Sequence, residues 1–186
     1  MNLFSIPVYK GHLDEDFNIP DLWSGLSKGV WSGETGYSTA QSDLRLWDSF
    51  PEVGDLIEGL FPHVLKYWET LGYTPARIEP TASWANWHEV GDQTHEHAHC
   101  DGTRQTHVAS VYYMEKQEGG DIELINPLDY LHRFTPLAKD HGDMLMSESI
   151  SCVTGDFLLF PGWMRHRTQP ATSNRKAISI NFNGYL

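Results

Sequence analysis

Cysteine is scarce in this chain: 186 residues hold only Cys100 and Cys152. Two thiols cannot build a disulfide framework, and without a C-x-x-C pair they offer no cysteine zinc site. Long apolar runs are missing too, and none approaches the roughly twenty residues that a membrane span requires. The opening MNLFSIPVYKGHLDEDF has no cationic lead, and Ser5 and Pro7 interrupt its apolar stretch, the wrong pattern for a secretory signal. Basic residues are few: thirteen Lys and Arg against twenty-five Asp and Glu give a formal charge of −12. That balance opposes attraction to nucleic-acid phosphates or to anionic lipid. These absences predict a soluble cytoplasmic protein with no nucleic-acid and no membrane partner.

What is present is enough for one substantial core. With 40% hydrophobic and 12% aromatic residues, the length reads as a single domain over residues 1–186. FPEVGDLIEGLFPHVLKYWETLGY places Leu56, Leu60, Val64, Tyr67 and Leu71 at near-helical spacing, with Gly59 and Pro62 expected to divide the helix. From Ala82 the period changes. TASWANWHEV, HVASVYYM, GDIELIN, SESISCV, GDFLLFP and KAISINFN each read as a strand bounded by turn residues. The expected class is mainly β, a barrel or sandwich packed against helices from residues 51–72, the first half being otherwise helical and loop-like. NPLDYLHRFTPLAKDHGDM is long for a connection and reads as a lid or a surface excursion.

Histidine is the outstanding excess. Five of the ten, His88, His95, His97, His99 and His107, fall within twenty residues. Neutral imidazole is the commonest metal ligand near neutral pH. In an extended segment alternate residues share a face, so GDQTHEHAHCD nominates His95, His97, His99 and Asp101 together. A solvated His-rich loop is the ordinary alternative for such a tract. A second motif, FPGWMRHRTQ, weighs against it: strand GDFLLF ends at a Pro-Gly turn that can bring His166 to the rim of the barrel. Two histidines from one loop and one from a distant strand make a three-ligand site with metal positions left open. His88, on the preceding strand, could face the pocket, but reads more readily as a core or sheet-face histidine.

The order W-x-N, G-D, H-x-H, V-Y-Y, G-D-x-L-x-F-P-x-W-x-x-H and I-S-I-x-F-N resembles a family of iron(II)- and 2-oxoglutarate-dependent oxygenases common in phages and bacteria. The matching pieces are Trp84-Ala85-Asn86, Gly91-Asp92, His97-Ala98-His99, Val111-Tyr112-Tyr113, Gly155 to His166 and Ile178 to Asn183. The resemblance implies a double-stranded β-helix, or jelly roll, with Fe(II) at its mouth and 2-oxoglutarate as co-substrate. It implies a hydroxylase that acts on a small molecule or peptide and releases succinate and carbon dioxide.

Carried over residue by residue, the resemblance makes His97 the first ligand, counted from the Gly-Asp turn, His99 the second and His166 the distal one. The wider superfamily uses H-x-D or H-x-E, and the register His99-Cys100-Asp101 leaves Asp101 as the rival of His99. His95 is left to a supporting position or to solvent. Arg175, nine residues after His166, is assigned to the distal carboxylate of 2-oxoglutarate, for which a guanidinium fork is suited. The family's arginine often sits directly before I-S-I, where this chain has Ala177, and positions 175 and 177 share a strand face. Ser179, on that same face, is expected to add a hydroxyl donor, and Tyr113 to meet the oxoacid from the barrel interior. Arg165 and Arg167 point opposite to His166 and read as surface residues, and Arg104 could approach a substrate from its loop.

Two alternatives use the same histidines: a cupin-like dioxygenase or isomerase that does not use 2-oxoglutarate, and a non-catalytic metal-binding module. An Arg175 that points into the barrel favours the oxoacid reading.

Overall fold

The computed structural model describes residues 6–15, 17–24, 26–28, 35–40, 42–100, 105–127 and 146–185. Asp101, Arg104 and most of the long connection after Pro127 therefore lie outside the described residues. Two antiparallel sheets face one another. The larger runs β1 (Tyr9–His12), β8 (Asp156–Pro161), β5 (Val108–Glu115), β10 (Arg175–Tyr185), β4 (Arg77–His88), β3 (Tyr37–Ser38) and β2 (Ser27–Lys28), in that spatial order. The smaller runs β7 (Ser147–Ile150), β6 (Ile122–Ile125) and β9 (His166–Thr168). A bridge between His97 and His166 adds the H-x-H segment beside β9. From β4 onward the chain crosses repeatedly between the two sheets, the winding of a double-stranded β-helix, as expected.

Alternation along β10 explains both faces of the large sheet. Ile178, Ile180 and Phe182 are fully buried under the helices, whereas Arg175, Ala177, Ser179 and Asn181 point between the sheets. The inner layer is closed by Val111, Tyr113, Leu124, Leu158, Phe160 and Met164. The outer layer is covered by α3 (Pro51–Thr70), which buries Val53, Leu56, Ile57, Leu60, Val64, Tyr67 and Trp68 at helical spacing. Full burial of each aliphatic side chain contributes about 1.5–3 kcal/mol. Two short helices, α1 (Pro20–Ser24) and α2 (Leu46–Ser49), complete the cover.

Three expectations need correction. Gly59 and Pro62 do not divide the helix: α3 runs unbroken for 20 residues. Pro62 and Glu58 are both exposed, so the Glu58 carbonyl that loses its N–H partner faces water rather than the core. The first half is also not merely helical and looped, because β1 pairs with β8 from Tyr9↔Leu159 to His12↔Asp156, and β2 and β3 extend the opposite edge. Finally, β4 starts at Arg77, four residues before the expected TASWANWHEV strand, and the short β9 adds a strand at His166 itself.

Candidate metal centre

His97 and His166 exchange backbone N–H···O bonds of 2.9 Å in both directions, and the His99 N–H donates to the Gly162 carbonyl at 2.9 Å. This pairing turns His97 and His99 to one side, where they meet His166 from the opposing strand. Ring centroids are 4.3 Å apart for His97 and His166, 5.0 Å for His99 and His166, and 5.3 Å for His97 and His99. One ring nitrogen of each lies within 4.8 Å of the other two.

Hydrogen bonds fix which nitrogen is available. His97 Nδ1 donates to the His95 carbonyl and His166 Nδ1 to the Met164 carbonyl, each at 2.9 Å, and His99 Nδ1 donates to Asn181 Oδ1 at 2.8 Å. Carbonyl oxygens only accept, so the protons sit on Nδ1 and the Nε2 lone pairs converge. Nε2 of His97 and Nε2 of His99 are 3.3 Å apart. Two lone pairs facing at that distance repel, and a shared cation would convert the repulsion into ligation. Burial, with a contribution from the neighbouring imidazoles, lowers the pKa of His99 to about 4 and that of His166 well below the ordinary value; burial also lowers His97. The rings are thus neutral at physiological pH, the form that ligates a metal. Three such nitrogens could hold a divalent iron and leave positions open.

A pocket of about 560 Å³ extends from these histidines along the inner face of β4 and β10. Arg175 lies in it and is only 2% exposed. It donates from Nη1 to the carbonyls of Gly120 and of Gln169, the latter at 3.4 Å, and from Nη2 to Thr168 Oγ1 at 2.9 Å. The close approach to Gly120 depends on the absence of a side chain there: a Cβ would stand 3.3 Å from Arg175 Nη1 and 2.9 Å from Ala171 Cα, and the backbone φ of +61° suits glycine. Burial lowers the Arg175 pKa, yet guanidinium stays protonated in proteins.

The same pocket takes up Ser179, Tyr113 and the Trp84 ring, whose edge meets His99 at a centroid distance of 5.1 Å. Burial raises the Tyr113 phenol well above its ordinary pKa, so it stays protonated.

His97, His99, His166, Arg175, Ser179 and Tyr113 are therefore together, and Asp101 lies outside the described residues. His95 contributes its carbonyl to His97. Arg165 and Arg167 pair with Glu96 at 2.9 Å and Glu123 at 2.6 Å, and of the two only Arg167 borders the pocket. Sequence reasoning passed over two contributors: Asn181, which shares the strand parity of Arg175 and Ser179, and Thr168, which stands two residues beyond His166. For His88 it ranked the core reading above the pocket one. His88 is not simply a core residue: it is 3% exposed and lines the pocket beside Arg175.

The fold and this constellation define an oxygenase-type double-stranded β-helix. A family model described as "Putative 2OG-Fe(II) oxygenase" matches residues 82–183, more than half of the chain, and the protein belongs to that family. It is accordingly an enzyme, an oxygenase dependent on Fe(II) and 2-oxoglutarate. Solved structures share the fold at low identity. A Pseudomonas putida prolyl-4-hydroxylase is 12% identical with a TM-score of 0.60, covering 98% of this chain and 95% of its own. The non-heme α-ketoglutarate-dependent epimerase SnoN from nogalamycin biosynthesis is 11% identical with a TM-score of 0.61, covering 88% and 68%. HygX from Streptomyces hygroscopicus, solved with nickel and 2-oxoglutarate bound, is 12% identical with a TM-score of 0.53, covering 77% and 71%. No curated protein matches the chain. No described helix is long and apolar enough to cross a membrane.

Proposed function

We propose that His97, His99 and His166 hold the Fe(II), that Arg175 binds the distal carboxylate of 2-oxoglutarate with Ser179 and Tyr113 beside it, and that the enzyme hydroxylates a small molecule or peptide. The observation that carries this reading is a buried guanidinium in the same pocket as three converging imidazoles. A cupin-like reaction without an oxoacid has no use for that cation, and a structural metal has no use for an adjoining pocket. His99 is favoured over Asp101 because its Nδ1 is anchored to β10 through Asn181.

Bound iron supplies oxygen activation driven by oxidative decarboxylation of 2-oxoglutarate to succinate and carbon dioxide. The chain's own residues do the rest. Asn181 and two backbone carbonyls set the three imidazoles, Arg175 sets the co-substrate by charge, and Trp84 walls the side of the pocket next to His99. Residues 1–186 act as one oxygenase domain in this reading, supported by the pairing of β1 with β8 and the cover of α3 over the large sheet. The two unpaired cysteines are in keeping with the cytoplasm.

The test is anaerobic addition of ferrous iron and 2-oxoglutarate to the folded protein. A visible charge-transfer band of the iron-oxoacid chelate is expected. Its absence at saturating concentrations would sink the proposal.

A further inference from the structure

We propose that His88 is a positioning residue for Arg175, a neutral acceptor that aligns the guanidinium without cancelling its charge. The inference rests on the reading of Arg175 as the cation for the distal carboxylate. His88, Arg175, Thr168 and Thr94 form a closed ring of hydrogen bonds. Arg175 Nε donates to His88 Nδ1 at 3.4 Å, and Arg175 Nη2 donates to Thr168 Oγ1 at 2.9 Å. The Thr94 N–H donates to the same Thr168 Oγ1 at 2.8 Å, and Thr94 Oγ1 lies 3.2 Å from His88 Nε2.

The ring has one consistent proton arrangement. A guanidinium nitrogen can only donate, so His88 Nδ1 carries a lone pair and Nε2–H donates to Thr94 Oγ1. Burial and then the Arg175 charge lower the His88 pKa to about 3, in keeping with a neutral ring. Gly36 packs behind that ring: its φ is +93°, and a Cβ there would lie 3.0 Å from His88 Cδ2 and 2.6 Å from the Trp87 carbonyl.

Counting donors shows what the ring achieves. Of the five guanidinium N–H groups, one goes to His88, two to the carbonyls of Gly120 and Gln169, and one to Thr168. The fifth, on Nη2, has no partner among the described residues. Thr168 Oγ1 already accepts twice, so its own O–H is left to donate to a further acceptor. Every described hydrogen-bond partner of Arg175 is neutral; Asp121 and Asp92 attract it without a direct hydrogen bond, so no carboxylate among the described residues occupies its donor face. An aspartate in place of His88 would align the guanidinium equally well but would neutralise it.

This distinction supplies the test. Nickel-loaded protein is titrated calorimetrically with 2-oxoglutarate and with 2-oxopentanoate, which lacks the distal carboxylate. The wild type is expected to prefer 2-oxoglutarate. His88→Asn, whose amide oxygen can replace Nδ1, should stay within about threefold of wild type, whereas His88→Asp should weaken 2-oxoglutarate by about tenfold or more and leave 2-oxopentanoate unchanged. Nickel affinity should be the same in all three proteins. A purely structural role for His88 predicts that the near-isosteric Asn and Asp variants behave alike, and that result would overturn the inference. Should His88→Asp not fold, Thr94→Val removes the acceptor for His88 Nε2–H and is expected to weaken 2-oxoglutarate about threefold; an unchanged affinity there also overturns it. A wild type with no preference for 2-oxoglutarate would instead overturn the assignment of Arg175.

Discussion

His99 donates its Nδ1 proton to Asn181 Oδ1 across 2.8 Å, tying the H-x-H segment to strand β10, 82 residues away in sequence. That bond sets the angle at which the His99 Nε2 lone pair meets His97 and His166. The other two imidazoles are held by backbone carbonyls within two residues of themselves. Asn181 is therefore the one side chain among the three supports that a substitution can remove.

Asn181→Leu should weaken metal binding by about 10- to 100-fold, the usual effect of losing a partner behind a ligating histidine. Anaerobic titration of ferrous iron measures it. Asn181→Asp, which keeps an oxygen acceptor, should retain most of the affinity. Equal losses in both variants would mean that residue 181 matters for shape rather than for the hydrogen bond.

Alanine at His97, His99 or His166 should abolish the iron-oxoacid band, and Asp101→Ala should leave it. The four variants are compared at equal protein concentration after each is shown to be folded by circular dichroism. Loss of the band in Asp101→Ala with retention in His99→Ala would move the second ligand to Asp101.

Pro62→Ala should raise stability by about 1–3 kcal/mol, because it restores the N–H bond to the Glu58 carbonyl within an already helical backbone. The midpoint of urea unfolding reads this directly. No gain would show that water already satisfies the carbonyl at no cost.

Asp156 predicts an acid limit to stability. Burial opposes its ionisation, but hydrogen bonds donated by His12 Nδ1 at 2.9 Å, by Lys10 Nζ at 3.0 Å and by the Val153 N–H at 3.0 Å prevail and hold its pKa below the usual range. A carboxylate depressed in the folded state stabilises it above the unfolded pKa of about 3.9, and that contribution is lost as pH falls through the folded value. Asp156→Asn should therefore cost about 1–2 kcal/mol at pH 7, with the gap from wild type closing as pH falls through the folded value. Thermal unfolding across an acid pH series measures it. A gap of constant size would assign the loss to packing.

Local patterns carried much of this structure in the sequence. The alternation of Ile178, Ile180 and Phe182 with Ser179 and Asn181 is a strand signal that depends on no distant residue; spacing nominated His95, His97, His99 and Asp101 alike, and only the family resemblance singled out His97, His99, His166 and Arg175. What escaped were features fixed by partners far along the chain. Strand β1 is the four residues YKGH, and its partner is β8, about 144 residues later. Strand β9 reads as a polar HRT because one face meets the histidine cluster while Arg167 on the other pairs with Glu123. Lys116, in the polar-looking EKQEGGD, is 3% exposed; its Nζ donates to the Cys152 carbonyl at 2.6 Å, the Gly119 carbonyl at 2.9 Å and Asp121 Oδ1 at 3.0 Å. Composition reads that segment as a solvated turn, since no local rule marks a lysine whose acceptors come from a second turn.

The reciprocal backbone bonds between His97 and His166 stand as an isolated bridge rather than part of a long ladder. Their two amide protons lie between the side chains proposed as ligands, on segments 69 residues apart. Hydrogen exchange at these amides is thus a direct reporter of occupancy. It should be among the faster in the sheets of the metal-free protein and slow sharply when iron clamps the segments together, giving a measure of loading that needs neither substrate nor turnover.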